Sequence, residues 1–186
     1  MRKLIFGINL TIDGCCDHTK GMANDEVHDY FTELMRSVDT LLYGRKTYEL
    51  MFPYWPEVAK DQSGHTKAIN DFADAIASIE NIVVCSRTLN KVDGKNTSII
   101  SGNLAEEALK LKQQPGGNIS TGGVDIPSQL IALGLVNEFH IVVQPIMAGA
   151  GRRFLDDTNM PESQQLKLVD TKVFESGCVA LKYVTQ

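Results

Sequence analysis

The run Thr40-Leu41-Leu42-Tyr43 continues directly into Gly44-Arg45-Lys46-Thr47-Tyr48-Glu49, the most informative stretch of the chain. It predicts a buried strand, a glycine turn and then a helix that opens with two cations. Glycine lets the backbone approach a ligand closely, and a helix N-terminus offers unpaired N–H groups and the positive end of its dipole. Arg45 and Lys46 can add charge-assisted hydrogen bonds. The stretch therefore favours binding of a phosphate group.

A second glycine turn, Ser120-Thr121-Gly122-Gly123, also follows a short apolar strand and precedes a helix that starts near Val124. One such turn is weak evidence, because Gly-Gly often marks only a turn. Two of them in one small domain indicate a ligand with two phosphates, such as a dinucleotide. In open α/β sheets, ligands lie beyond the carboxyl ends of the strands, where both turns are expected.

Strands and helices alternate along most of the chain. Apolar side chains recur at helical spacing in one early segment, at Val27, Tyr30, Phe31, Leu34, Met35 and Val38. Further helices are predicted around 69–76, 103–111 and 124–131, whereas Pro53 and Pro56 are expected to break the chain around Trp55. Strands are predicted at 3–10, 40–43, 82–85, 97–100, 118–120 and 139–144, followed by a hairpin of 166–174 and 178–184. This order predicts a three-layer α/β/α sandwich with a mainly parallel sheet and an antiparallel C-terminal hairpin.

The composition fits a single domain spanning residues 1–186. Hydrophobic residues make up 43% of the chain and the net charge is −5. The basic clusters are only pairs, so nothing supports nucleic-acid binding. No apolar run approaches the ~20 residues of a membrane helix. We interpret the apolar N-terminus as a strand rather than a signal sequence, because Asn9 and Asp13 follow too soon. We expect a cytoplasmic protein.

The four cysteines and four histidines do not have the spacing of metal ligands, and we expect no metal. Adjacent Cys15 and Cys16 could act as a redox pair or bind a soft metal, but two free thiols in a loop are the favoured interpretation. Cys85 and Cys178 lie inside apolar strands, where we expect them to behave as small hydrophobic residues.

Several motifs together resemble one known family. In chain order they are Asn9-Leu10-Thr11-Ile12-Asp13-Gly14, 39–49, Ser86-Arg87, Gly122-Gly123, 136–141, Pro145-Ile146 and Gly149-Ala150-Gly151. No single motif is specific, but the ordered set covers essentially the whole chain. On these residues the chain resembles the dihydrofolate reductase-like superfamily, most closely the reductase domain of riboflavin-biosynthesis deaminase/reductases and its free-standing bacterial relatives.

The resemblance implies an eight-stranded sheet, NADPH as hydride donor, a small-molecule substrate and a homodimer. It places the cofactor pyrophosphate between the two helix N-termini. It places the adenosine 2′-phosphate near Ser86 and Arg87, which offer a hydroxyl group and a bidentate cation. The candidate cofactor-binding residues are Gly44, Arg45, Lys46, Thr47, Ser86, Arg87, Thr121, Gly122, Gly123 and Val124.

Reduction of a C=N or C=O group also needs a proton, and two carboxylates are candidate catalytic residues. Asp13 closes the first strand beside the expected nicotinamide position, but an Asp-Gly turn explains it equally well. Asp29 lies 15 residues before Gly44. This is close to the spacing of the pterin-binding carboxylate in folate reductases, but Asp29 could also face solvent. The loop 15–22 would correspond to the flap over the nicotinamide.

The chain departs from its relatives in two ways. Folate reductases carry a tryptophan after this flap, where the chain has Gly21-Met22-Ala23-Asn24, and this argues against dihydrofolate as the substrate. Riboflavin-type reductases are usually fused to a zinc deaminase domain, which we do not find here. We expect an NADPH-dependent reductase of a 5-amino-6-(5-phosphoribosylamino)uracil-like or pterin-like compound. The alternatives are a non-catalytic nucleotide-binding protein, a true dihydrofolate reductase, or a purely structural dimeric domain.

Overall fold

The computed structural model describes residues 1–22, 24–92, 94, 96–155, 160 and 163–186. In this part of the chain eight strands form one sheet: β1 (Leu4–Thr11), β2 (Val38–Gly44), β3 (Asn81–Cys85), β4 (Thr97–Ile100), β5 (Asn118–Thr121), β6 (Glu138–Gln144), β7 (Leu166–Val173) and β8 (Val179–Thr185). The helices are α1 (Asp25–Arg36), α2 (Arg45–Met51), α3 (Trp55–Lys60), α4 (Lys67–Ala77), α5 (Leu104–Gln113) and α6 (Asp125–Ala132). The predicted alternation of strands and helices is confirmed.

The strands lie in the order β4-β3-β2-β5-β1-β6-β8-β7. All neighbours from β4 to β6 are parallel, whereas β8 runs antiparallel to β6 and β7 runs antiparallel to β8. The mainly parallel sheet with an antiparallel C-terminal hairpin is therefore confirmed. β1 pairs with β5 only as far as Phe6 and Thr121, but it pairs with β6 as far as Thr11 and Gln144. Thus β1 extends past the end of β5.

Helices cover both faces of the sheet, which confirms the three-layer sandwich. Leu41 and Ile5 enter a core beneath α1 and α4, whereas Leu42 and Phe6 enter a core beneath α5 and α6. Neighbouring residues of a strand point to opposite faces, so a strand that is covered on both sides has a continuous apolar sequence. Complete burial of such a side chain contributes about 1.5–3 kcal/mol. The two cores thereby hold the sheet between its two layers of helices.

Two segments differ from the sequence prediction. The apolar spacing places Val38 on the first helix, but Val38 begins β2 because α1 ends at Arg36 and the Ser37 N–H closes the last helical turn. The predicted break at Trp55 is instead the first residue of α3. Pro56 is tolerated there because N–H groups in the first turn of a helix have no acceptor within the helix, so the missing N–H group of proline costs no hydrogen bond.

Candidate functional site

The residues predicted to bind a cofactor lie at the carboxyl ends of three neighbouring strands. β3, β2 and β5 are adjacent and parallel, so their carboxyl ends meet along one edge of the sheet. The fold thereby brings together three segments that are far apart in the chain. They contain Gly44 at the end of β2 with Arg45, Lys46 and Thr47 after it, Ser86 and Arg87 after β3, and Thr121, Gly122, Gly123 and Val124 at the end of β5.

The two glycine turns touch each other. A Cβ atom on Gly44 would lie 3.0 Å from Cγ1 of Ile126, and a Cβ atom on Gly123 would collide with Oγ1 of Thr47. Gly123 also has a φ of +81°, which L-residues with a side chain rarely adopt. The absence of side chains at these two positions therefore lets the start of α2 approach the start of α6.

Neither of these helix starts is capped by a side chain. The N-cap residues are Gly44 for α2 and Val124 for α6, and neither side chain accepts a hydrogen bond from its own helix. The first N–H groups of a helix have no intrahelical acceptor, and the helix dipole makes this end positive. Two such ends in contact form a suitable cradle for an anion with two phosphate groups.

Charged side chains surround the cradle. Arg45 reaches toward the end of β3, where its Nη1 lies 3.4 Å from Oγ1 of Thr88. Arg152, from the loop after β6, donates a hydrogen bond of 2.5 Å to Asp125 in the first turn of α6. This bond lowers the pKa of Asp125 against the effect of burial, and the charges of Arg152 and Lys46 add to the lowering. The sequence pattern did not single out Asp125, although an acidic first-turn residue is a recognised sign of a helix start.

Two predicted side chains already have partners inside the protein. Thr121 is fully buried, and its hydroxyl donates a hydrogen bond of 2.7 Å to the carbonyl of Leu42. The Ser86 hydroxyl accepts hydrogen bonds from backbone N–H groups two and three residues later, at 3.2 and 2.9 Å. Arg87 is exposed and has no polar partner within the described ranges. At the end of β3, Arg87 is therefore the side chain available to a ligand.

Asp13 anchors one loop to another. Its carboxylate accepts hydrogen bonds from the Thr11 hydroxyl at 2.6 Å and from the N–H groups of Ala148 and Gly149 at 3.0 and 2.9 Å. Arg153 lies 3.6 Å away. These hydrogen bonds, with that of Thr11 the largest contribution, lower the pKa of Asp13 to about 2. A carboxyl group that remains ionised in this way is suited to hold a loop and is poorly suited to donate a proton.

The predicted flap 15–22 is held at both ends by β6 and the loop that follows it. Cys15 forms an isolated antiparallel bridge with Arg153, and the Cys16 N–H donates to the Arg152 carbonyl at 2.8 Å. At the other end, the Gln144 amide accepts from the Met22 N–H at 2.6 Å and donates to its carbonyl at 3.2 Å. Ala23, in the segment that replaces the folate-reductase tryptophan, lies outside the described residues. Neither Cys15 nor Cys16 forms a disulfide bond.

The other catalytic candidate, Asp29, is not brought to the glycine turns. It lies on the exposed side of α1 and lines a groove of about 370 Å³ between this helix and strands β6, β7 and β8. None of the ten candidate cofactor residues lines this groove. The structure therefore separates Asp29 from the predicted cofactor site.

A chain of hydrogen bonds crosses this groove. The Tyr30 hydroxyl lies 2.8 Å from Nδ1 of His140, and Glu138 lies 2.8 Å from both the His140 Nε2 and the Lys182 Nζ. Burial lowers the pKa of His140, although the bond to Glu138 opposes this effect. Burial raises the pKa of Glu138, but the bonds from Lys182 and His140 outweigh it and leave the pKa lowered. The chain attaches α1 to the sheet.

Within the described residues, no three His, Cys, Asp or Glu side chains are grouped so that they could hold a metal ion. The helices in the same part of the chain are too short or too polar to cross a membrane.

Known proteins share both the sequence pattern and the fold. The model of the RibD C-terminal domain family matches residues 2–180. The uncharacterised protein YyaP of Bacillus subtilis (strain 168) is 32% identical over 186 residues, which cover 98% of this chain and 94% of YyaP.

Two solved structures show the same fold at low identity. The diaminohydroxyphosphoribosylaminopyrimidine deaminase/5-amino-6-(5-phosphoribosylamino)uracil reductase of Thermotoga maritima has a TM-score of 0.69 and 12% identity, over 100% of this chain and 57% of that protein. The dihydrofolate reductase of Enterococcus faecalis, complexed with NADP(H) and RAB-propyl, has a TM-score of 0.63 and 15% identity, over 99% and 96% of the two chains. Because the family model spans nearly the whole chain and YyaP matches it end to end, the chain belongs to the RibD C-terminal domain family.

Proposed function

We propose that the protein is an NADPH-dependent reductase of a small heterocyclic compound, of the 5-amino-6-(5-phosphoribosylamino)uracil or pterin type. The observation that carries this proposal is the contact between the two glycine turns, because it joins two uncapped helix N-termini at one point. A pyrophosphate has the charge and the two phosphate groups that such a cradle suits. Membership in the family supports an oxidoreductase, and the Enterococcus faecalis relative of the same fold binds NADP(H).

Each part of the cofactor has a group in the chain to bind it. We assign the pyrophosphate to the N–H groups after Gly44 and Gly123, with Arg45 as the neighbouring cation. We assign the 2′-phosphate to Arg87, since a guanidinium binds phosphate in a bidentate manner. When bound, the cofactor supplies a hydride. The chain binds and orients it, and Asp13 holds the loops beside it.

The substrate class draws on aromatic side chains of α1, α3 and the segment around α2, which pack partly buried against the core beneath α1 and α4. Phe31 on α1 lies 3.2 Å from the place where a Cβ atom on Gly7 would be. Tyr48 and Phe52 stack with ring centroids 5.1 Å apart, and the ring centroids of His28 and Trp55 are 5.9 Å apart. Aromatic faces of this kind bind planar heterocycles by stacking. The missing flap tryptophan remains our reason to disfavour dihydrofolate.

The test is a steady-state assay with NADPH and a panel that includes the ribosylaminopyrimidine, pterins and dihydrofolate. We expect turnover of a heterocycle other than dihydrofolate, for which the rate should stay below about 1 per second, the lower end of the ordinary enzyme range. One observation favours a second candidate, a non-catalytic NADPH-binding protein. Hydrogen bonds lower the pKa of Asp13 to about 2, and Asp29 lines a groove that contains none of the candidate cofactor residues, so no proton donor is assigned to the site. Stoichiometric NADPH binding without turnover of any compound would favour it.

We further propose that the protein acts in the cytosol as a homodimer. β7 is the last strand of the sheet, so one of its edges has no strand partner within the described residues. It exposes Leu168, Val169 and Val173, the last to 72%. An unpaired edge with exposed apolar side chains is a surface that proteins normally cover. A second copy of the chain is the partner that we expect. None of the four cysteines forms a disulfide bond, which is consistent with a reducing compartment.

A further inference from the structure

Tyr43 occupies the centre of the candidate site but has no role in the assignments above. It is the last residue of β2 before Gly44, and only 4% of it is exposed. Its ring packs beside Phe52, with centroids 6.4 Å apart, and extends across the end of β5. A Cβ atom on Gly122 would lie 3.4 Å from the ring and 3.9 Å from the hydroxyl. The absent side chain of Gly122 thus leaves space beside the phenol.

The Tyr43 hydroxyl has no hydrogen-bond partner in the described part of the chain, unlike the hydroxyl of Tyr30, which pairs with His140. In the described residues, the buried side-chain nitrogen and oxygen atoms that lack a hydrogen-bond partner belong only to Asn70, Ser128 and Ser176. The Tyr43 hydroxyl oxygen is not one of these buried atoms, so it reaches accessible space. A buried tyrosine normally finds a partner for its hydroxyl, because an unpaired polar group is costly in such a place. Because the Tyr43 hydroxyl reaches accessible space and donates to no protein group among the described residues, it is available to donate to a ligand.

The space in front of the hydroxyl is a gap in the sheet. β5 ends at Thr121, whereas β1 continues to Thr11, so 7–11 has no strand beside it on the β5 side within the described ranges. The Gly7 carbonyl oxygen lies 3.6 Å from the position of a Cβ atom on Gly122. Tyr43, Gly7 and Gly122 thus form the floor of a gap between β1 and β2.

The proposed orientation of the cofactor places its nicotinamide end in this gap. Its 2′-phosphate is assigned to Arg87 after β3, and its pyrophosphate to the turns after β2 and β5. In the strand order β3-β2-β5-β1, the remaining ring end of the dinucleotide falls between β2 and β1. We propose that the Tyr43 hydroxyl donates a hydrogen bond to the carboxamide oxygen of the nicotinamide ring, an inference that rests on the proposed function.

The chemistry of the phenol fits this role. Burial raises the pKa of Tyr43, so that the hydroxyl keeps its proton and remains a donor at any physiological pH. The ring is held in place by its packing, and the hydroxyl contributes no hydrogen bond to the fold. Tyr43→Phe should therefore fold with wild-type thermal stability and lose only the donor.

The experiment is a calorimetric titration of NADPH and of 2′,5′-ADP, which carries the 2′-phosphate but has no nicotinamide. Tyr43→Phe should weaken NADPH binding by roughly 2- to 12-fold, which corresponds to about 0.5–1.5 kcal/mol for one neutral hydrogen bond. It should leave 2′,5′-ADP binding unchanged. Tyr183→Phe is the matched control, because Tyr183 pairs with Phe139 near the amino end of β6, far from the strand ends of the site. It should leave both titrations unchanged.

The outcomes separate the two proposals. If wild-type protein binds both ligands and Tyr43→Phe binds both equally well, the assignment of Tyr43 is wrong and the proposed function stands. If Tyr43→Phe weakens both ligands to the same extent, its effect does not come from the nicotinamide and the assignment is again wrong. If wild-type protein binds neither ligand, the proposed function fails, and the inference about Tyr43 fails with it.

Discussion

Replacement of Arg87 by alanine should weaken NADPH binding and leave NADH binding nearly unchanged. Arg87 is exposed and has no polar partner in the described residues, so its removal breaks no polar contact of the fold. NADPH differs from NADH only in the 2′-phosphate, which we assign to this side chain. A hydrogen bond to a charged group contributes about 1.5–3 kcal/mol, which is roughly 10- to 150-fold in affinity. Because Arg87 is exposed, solvent screening places the expected effect near the lower value.

Arg45→Ala is the matched control, since it removes the same kind of charge from the pyrophosphate cradle and should weaken both cofactors. The assay is calorimetric titration of NADPH and NADH into wild-type protein and both variants, at low and high salt. The preference of wild-type protein for NADPH should decrease as salt rises, because ions screen exposed charges. An Arg87→Ala protein that retains the wild-type preference would refute the assignment of Arg87 to the 2′-phosphate.

Three further changes test other parts of the structure. Gly123→Ala should lower the free energy of unfolding by about 1–2 kcal/mol, because residue 123 has a left-handed backbone, and should abolish cofactor binding, because the new side chain collides with Thr47. Gly134 also has a positive φ but has open space around it, so Gly134→Ala should lower the stability in thermal melting and leave cofactor binding unchanged. The pKa of Asp13 is lowered from 3.8 to about 2, so its contribution to stability is complete above about pH 4 and is lost as the pH falls through about 2. In urea titrations, the deficit of Asp13→Asn should shrink over that range, and a constant deficit would contradict the anchoring role. Sedimentation should show a dimer that Val173→Lys dissociates, and a strictly monomeric wild-type protein would exclude this interface.

The strands, the helices and the two glycine turns could be predicted because their signals are local. Continuous apolar runs such as 82–85 are required in strands that are covered on both faces, and glycine is required where a side chain would collide with a neighbouring turn. The meeting of the turns was predictable in outline, since parallel strands bring their carboxyl ends to one edge. The expectation that NADPH is the cofactor came from the family resemblance, since no local signal encodes it.

The side-chain contacts of the site were not predictable, because they depend on how distant segments pack. Arg152 and Asp125 are 27 residues apart, and nothing in either local sequence indicates their ion pair. Thr121 appears in sequence as part of a phosphate turn, but its hydroxyl is directed back to the Leu42 carbonyl. Likewise, the strand pattern indicates that Tyr43 is buried, but not that its hydroxyl lacks a partner.

Asp29 shows most clearly what spacing along a chain can and cannot determine. The number of residues between Asp29 and Gly44 indicates how far along α1 the carboxylate lies. Successive residues of a helix are rotated by about 100° around its axis, so the residue next to Asp29 lies at nearly the same position along α1 but faces another side. His28 is that neighbour, and its ring contacts Trp55 and Phe72 with centroids 5.9 and 5.8 Å apart, whereas Asp29 faces the groove beside β6. The His28 Nδ1 lies 2.9 Å from the Asn24 carbonyl, which can only accept. Nδ1 therefore donates this hydrogen bond, which orients the His28 ring. On α1 the polar ring that contacts Trp55 and Phe72 is thus that of His28, whereas the Asp29 carboxylate faces the groove on another side of the helix.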